Sequence, residues 1–334
     1  MAAELSGLPF ADVEEAGTNL LRLSEGGLPR PASSTLNNDG TPLQVCVTAR
    51  PGDYAVRLLG DPGANAPSAG QRVTIAHSAL AALLGPERHA YLGEACDRML
   101  STILPQPLEC RKETPRGILW LAASLAGREI AVYTKARWNG PDQDWARCRS
   151  LARQLCPDPS DSETVISVLR EAASPVSVGL ESAGREPRRL KLYWRLRRPV
   201  MLSGLGIDLL GDVSANDFLI RVLGTRKVPS TALVFSTSFS VATGQIDDAK
   251  IDICGHCAQR PAESWLPLIS SLAADHCLAD PRLAGVLSAR RADVAFIGFG
   301  LNRRGEKRMN VYLKVPQLDL ASQQGGSHAE LTQN

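Results

Sequence analysis

Aromatic residues are scarce, at 5% of the chain, and lysine supplies only seven of 37 basic residues. Long apolar runs are missing. None reaches the roughly 18 residues that a membrane helix needs, so no membrane role is expected. Excess charge is missing too: 37 basic residues face 35 acidic ones, for a net charge of +2. That balance leaves no global field to favour nucleic acid. The opening Met1-Ala-Ala-Glu-Leu-Ser lacks a basic region followed by an apolar one, so no secretory leader is read. Eight cysteines then read as reduced thiols of a cytoplasmic protein rather than a disulfide framework. What is present is an ordinary globular balance, with 44% hydrophobic and 22% charged residues. A length of 334 residues allows two domains or one large barrel.

Strand-like runs come in pairs split by short turns, a hairpin signature. The pairs are Leu43–Arg50 with Tyr54–Gly60, Gly117–Ala126 with Glu129–Trp138, Val176–Ser182 with Arg189–Leu196, Ala232–Val241 with Lys250–Gly255, and Val294–Asn302 with Lys307–Val315. Helical spacing fills the intervals. Asp144–Leu155 aligns Trp145, Cys148, Leu151 and Leu155, and Ser160-Asp-Ser-Glu163 is a capping box opening Thr164–Ala172. Val73–Leu104, Ile207–Leu223 and Trp265–Ala289 also read as helical with breaks. Residues 1–30 read as a lead-in with one short helix, about Ala11–Leu23, residues 31–318 as a single domain, and 319–334 as a disordered tail. Tyr133, Tyr193, Cys254 and Tyr312 recur at matching offsets, 58 to 61 residues apart. Such a period implies stacked or circular architecture. The expected fold is α+β. Five hairpin-helix units give a ten-stranded antiparallel β-barrel ringed by outer helices, and closure removes exposed strand edges.

Alternation assigns the faces. Arg189, Lys191, Tyr193 and Arg195 oppose Leu190, Leu192, Trp194 and Leu196. Arg308, Asn310, Tyr312 and Lys314 oppose Met309, Val311, Leu313 and Val315. Lys250, Asp252 and Cys254 oppose Ile251 and Ile253, and Tyr133 and Lys135 oppose Ile130 and Val132. Solvated faces of half-exposed strands are the ordinary reading of such alternation. Helices covering the apolar face instead place the polar one inside a barrel, where clustered cations suit an anion.

These residues resemble the aromatic prenyltransferases of the ABBA fold (PT-barrel), of the dimethylallyltryptophan-synthase type. Asp39-Gly-Thr-Pro-Leu-Gln44 is similar to that family's D-x-T-P-V-E segment, and Val56-Arg57 through Asp61-Pro62 to its V-R-x-x-x-E-P. Arg189-Leu-Lys191-Leu-Tyr193 matches R-x-K-x-Y, and Asn310-Val-Tyr312-Leu-Lys314 sits at its last tyrosine-bearing strand. The resemblance spans roughly residues 30 to 318. Three departures stand out. Ala131 replaces a lysine, with Lys135, two residues past Tyr133 on the same face, as a substitute. Cys254 replaces a tyrosine. Gln44 replaces the glutamate that draws on the indole N–H, and glutamine cannot act as a general base. Asp252 and Glu181 are the alternative proton acceptors.

The resemblance implies transfer of a dimethylallyl or longer prenyl group from its diphosphate to an electron-rich aromatic or indole-type acceptor. The alternatives are a peptide side chain as acceptor, or an anion-binding barrel without catalysis. The implied diphosphate contacts are Arg57, Arg189, Lys191, Lys250 and Arg308, with Tyr133, Tyr193 and Tyr312 as shields and phosphate partners. Lys191, Tyr193, Tyr312 and Gln44 are the implied catalytic group, and Gln44, Trp120 and Asp252 the acceptor contacts. No metal or cofactor is implied, since Asp247-Asp248 is followed by Ala249-Lys250 and no DDxxD segment is present. The expected partners are the prenyl diphosphate and the acceptor, with the protein a monomer or homodimer.

Other constellations carry less. Cys254-Gly-His-Cys257 has the form of a thioredoxin-type motif, but it ends a strand in an antiparallel repeat. A zinc site with His276 and Cys277 would have unusual spacing. His77, His89 and His328 are isolated. Gly298 and Gly300 alternate in a strand and mark close packing or lumenal room. The basic run Arg195-Leu-Arg-Arg198 has no second patch to pair with for nucleic acid.

Overall fold

Five hairpins build the molecule. The strands are β1 (Leu43–Arg50) and β2 (Asp53–Gly60), β3 (Leu119–Ser124) and β4 (Ile130–Lys135), β5 (Ala173–Ser182) and β6 (Pro187–Leu196), β7 (Leu233–Ser240) and β8 (Ile246–Cys254), β9 (Val294–Asn302) and β10 (Lys307–Lys314). The computed structural model describes residues 2–21, 34–51, 53–106, 117–198, 201–205, 207–224, 232–275 and 293–315. Each strand pairs antiparallel with its chain neighbours, and β10 returns to pair with β1, closing a ten-stranded barrel. The fold class expected from the hairpin repeat is therefore the one observed.

Helices link the hairpins. They are α1 (Ala2–Ser6), α2 (Phe10–Leu21), α3 (Ala69–Ile103), α4 (Pro141–Leu155), α5 (Ser160–Ala172), α6 (Val213–Leu223) and α7 (Trp265–Asp275). Leu190, Leu192, Trp194 and Leu196 are buried on the outer face of β6, and the apolar positions of the other strands follow the same rule. The core is thus a sleeve between barrel and helices. Trp145 and Leu151 of α4 and Ile166 and Leu169 of α5 complete it. Trp194 stacks on Phe235 of β7, with ring centres 4.4 Å apart.

In the segments read as helical with breaks, the structure places the breaks. α3 has a break at Gly85, whose φ is +69°, followed by Pro86, a residue with no N–H to continue the ladder. Ile207–Leu223 is α-helical only from Val213. Before it stand 3-10 turns at Leu202–Leu205 and Asp208–Leu210, and Asp212 caps the true helix through Ser214 N. The third helix runs to Asp275, and its expected remainder to Ala289 lies outside the described residues. The lead-in folds as two helices, whose Leu5 and Leu20 are fully buried in the same core as the barrel. The tail expected from 319 lies outside the described residues.

This connectivity sorts the barrel's ends. All five hairpin turns gather at one end, because the odd strands run parallel to one another. The helical links leave and re-enter at the other.

Candidate active site

The inward positions form polar layers. In register, Ala131 of β4 faces Glu181 of β5, Glu181 faces Arg189 of β6, and Arg189 faces Ser240 of β7. Arg57 enters from β2 opposite Cys46. A central cavity of about 30 Å³ is lined by Arg57, Arg189, Lys191, Lys250 and Arg308. Tyr133, Tyr193 and Tyr312 line the same cavity, with Glu181, Arg50 and Asn310 beside them. The eight residues implied as diphosphate contacts thus meet in one place.

The cations are not bare. Glu181 is 3% exposed and reaches three of them. Its Oε1 lies 2.7 Å from Arg57 Nη1, and its Oε2 lies 3.0 Å from Lys191 Nζ and 3.4 Å from Arg189 Nη1. Arg57 also binds Glu129, and Arg189 binds Asp247. Arg308 clasps Asp248 through both Nη atoms. Lys250 Nζ lies 2.6 Å from Asp252 Oδ2 and donates to Tyr312 Oη at 2.8 Å.

Burial shapes the ionisation. Burial pushes the Lys191 ammonium down to about 8, against the pull of Glu181. Burial alone would raise Glu181. Lys191, Arg57 and Arg189 overcome it and hold the carboxyl well below its usual range. Burial likewise raises the phenols of Tyr193 and Tyr312 well above their ordinary value, so both stay neutral hydrogen-bond donors.

The rings are arranged around Lys250. Its ammonium sits 5.3 Å from the Tyr312 ring centre and 5.9 Å from that of Tyr193. Tyr133 meets Tyr193 edge-on at 5.8 Å, and Phe296 meets Tyr312 edge-on at 5.9 Å. A cation placed among these faces is stabilised by about 0.5–2 kcal/mol per ring.

Gln44, Trp120 and Asp252 do not line the cavity. Gln44 is buried and donates through Nε2 to Leu36 O at 2.9 Å and Asn37 Oδ1 at 2.6 Å. Its amide hydrogens are therefore committed to the loop before β1. Trp120 faces Tyr133 across β3 and β4, and its buried Nε1 has no hydrogen-bond partner. Asp252 is buried, with Oδ1 likewise unpartnered. Lys135 lies over the Trp138 ring at 4.8 Å, away from the cavity, and so does not stand in for the lysine missing at Ala131.

Cys46, Thr48 and Arg50 of β1 line the cavity and were missed in the sequence. Alternation along Leu43–Arg50 was the available signal. Gly298 is explained by contact: a Cβ there would lie 2.2 Å from Asp252 Oδ1. Cys254, His256 and Cys257 bring their ligand atoms within 4.8 Å of one another, whereas His276 and Cys277 lie outside the described residues. His77 lies 3.5 Å from Asp97 on α3, and His328 is outside the described residues.

No family profile and no curated protein matches the chain. Solved structures do. 5-Dimethylallyltryptophan synthase from Streptomyces coelicolor is 20% identical with a TM-score of 0.74, covering 94% of each chain. The prenyltransferase PriB, solved with product diphosphate, is 19% identical with a TM-score of 0.75, covering 94% of this chain and 92% of its own. AnaPT from Neosartorya fischeri is 14% identical with a TM-score of 0.66, covering 91% of this chain and 86% of its own. The chain therefore has the ABBA fold, the ten-stranded PT-barrel of the dimethylallyltryptophan synthases.

Proposed function

We propose that the chain is a metal-independent prenyltransferase, which moves a dimethylallyl or longer group from its diphosphate to an electron-rich aromatic acceptor. The observation that carries this reading is the convergence of Arg57, Arg189, Lys191, Lys250 and Arg308 with three tyrosines on one buried cavity. PriB solved with product diphosphate, and a relative solved with a dimethylallyl diphosphate analogue and tryptophan, support it by likeness.

The step is an ionisation followed by capture. The allylic C–O bond breaks, and its electron pair leaves with the diphosphate. Arg57, Arg189 and Lys191 stabilise that growing charge more in the transition state than before it. Tyr133, Tyr193 and Tyr312 shield the allyl cation from water. The acceptor's carbon or heteroatom then bonds to the cation and loses a proton. Two carboxylates stand near enough to be weighed for that proton: Glu181 lines the cavity but three cations make it a weak base, and Asp252 has an unpartnered Oδ1 but stands outside the lining. Cations fixed by the barrel do the work that magnesium does elsewhere. EDTA is expected to leave turnover intact, and recovery of a lost activity by magnesium would sink this part.

A second reading has its own observation. The central cavity, at about 30 Å³, is too small for a diphosphate, and each of its five central cations is paired with a carboxylate. Binding must therefore open those pairs, and a barrel that binds anions without turnover would have the same resting state. Incubation with dimethylallyl and geranyl diphosphates and a panel of indoles, phenols and peptides, read by mass spectrometry, separates the two. Prenylated product that disappears in Lys191→Ala supports transfer. Pyrophosphate binding without release of diphosphate from either donor supports the second reading.

A further inference from the structure

A second concavity opens above the first. It has a volume of about 530 Å³ and lies at the hairpin-turn end. Arg50, Arg189 and Arg308 line both spaces, so the two adjoin. The upper one is strongly biased in charge, with seven Arg and Lys residues against three carboxylates in its lining. The whole chain, by contrast, carries only +2. Arg188, Arg303 and Arg304 are exposed at the turns, and Lys307 is half-buried beside them. Among the described residues, Arg188, Arg304 and Lys307 have no ion-pair partner. Arg50, deeper in, is pushed down by burial and then by the neighbouring Arg308, with Arg57 and Arg189 adding to it.

The opposite end differs. Trp120, Tyr312, Phe296 and Asp252 stand toward it, where the helical links enter. Arg189 and Arg308 are therefore nearer the turns, and Trp120, Phe296 and Asp252 nearer the helices.

We infer that the hairpin-turn mouth is the port through which the diphosphate group enters and leaves, with Arg188, Arg304 and Lys307 steering it toward Arg50 and the lumen. This rests on the lumenal diphosphate reading above. A concave basin of one sign focuses field lines and raises association rates of an opposite charge by about 10- to 1,000-fold, an effect that salt screens. Unpaired cations at a rim act on the association rate more than on the bound state.

Inorganic pyrophosphate is the probe, and the full chain is the protein. Affinity comes from titration calorimetry and dissociation from exchange broadening of the phosphorus resonance. Together they give the association rate. For R188Q/R304Q/K307Q at low salt we expect that rate to fall about tenfold, and its salt dependence to flatten. R304E alone, in an exposed turn, is expected to lower it by a similar factor. The control is R98Q/R170Q/R198Q, which removes equal charge from exposed positions outside the port lining. An unchanged rate in both port variants, or an equal loss in the control, would overturn the port while leaving lumenal binding intact. Wild-type protein that binds no pyrophosphate would overturn the lumenal reading and the port together.

Discussion

Glu181 puts one carboxylate within reach of three cations, and the diphosphate must compete with it. Removing its charge leaves Arg57, Arg189 and Lys191 without their shared partner. Breaking a buried pair this way costs about 3–5 kcal/mol. Glu181→Gln is therefore expected to unfold at lower urea while binding pyrophosphate about tenfold more tightly, by titration calorimetry. Weaker binding would show that the carboxylate positions the cations instead of competing for them.

Lys191 gives the site a pH dependence. Its ammonium is depressed to about 8 from the usual 10.5, so it is charged below pH 8 and increasingly neutral above. Pyrophosphate favours the charged form. Binding should weaken as pH rises through 8 and take up a proton there, measurable in buffers of different ionisation heat. Lys191→Arg should lose that dependence, since arginine stays charged. For stability the sign is opposite. The folded state disfavours this charge, so the cost is present below pH 8 and is relieved as pH rises toward 10.5.

At the scale of elements, glycines make the lumen's shape. Gly179 of β5 faces Tyr133 of β4, and a Cβ there would lie 2.4 Å from the Tyr133 ring. The ring fills the place that a side chain would need. Gly179→Val is expected to push Tyr133 off its edge-on contact with Tyr193 and to raise hydrolysis of the donor relative to transfer. An unchanged ratio of prenyl alcohol to product would remove Tyr133 from the shield. Strand and helix types were readable from alternation and turn chemistry, because both depend on neighbours in sequence. The place of the 3-10 turns before α6 was not, because Ile207–Leu210 has helical spacing but Asp212 supplies a cap that starts a new helix.

At the scale of the whole molecule, closure depends on the last described strand. β10 pairs with β9 on one side and β1 on the other. Ending the chain after Glu306 would leave two open edges and uncover the apolar sleeve. Loss of a cooperative unfolding transition is expected, followed by circular dichroism in urea. A cooperative transition in that truncated chain would mean that closure is not needed for the core.

Composition, hairpin spacing and the Arg189-Leu-Lys191-Leu-Tyr193 pattern by themselves determined the barrel and its inner face, because a strand's two faces are written in steps of two. The sequence could not say that Gln44 is tied to Leu36 and Asn37, that Lys135 turns to Trp138, or that Glu181 sits among its three cations. Nor could it say that Arg188, Arg304 and Lys307 rim one mouth. Those outcomes depend on residues far apart in the chain meeting across a closed sheet. Only tertiary structure decides which buried charges become partners and which are left facing an opening.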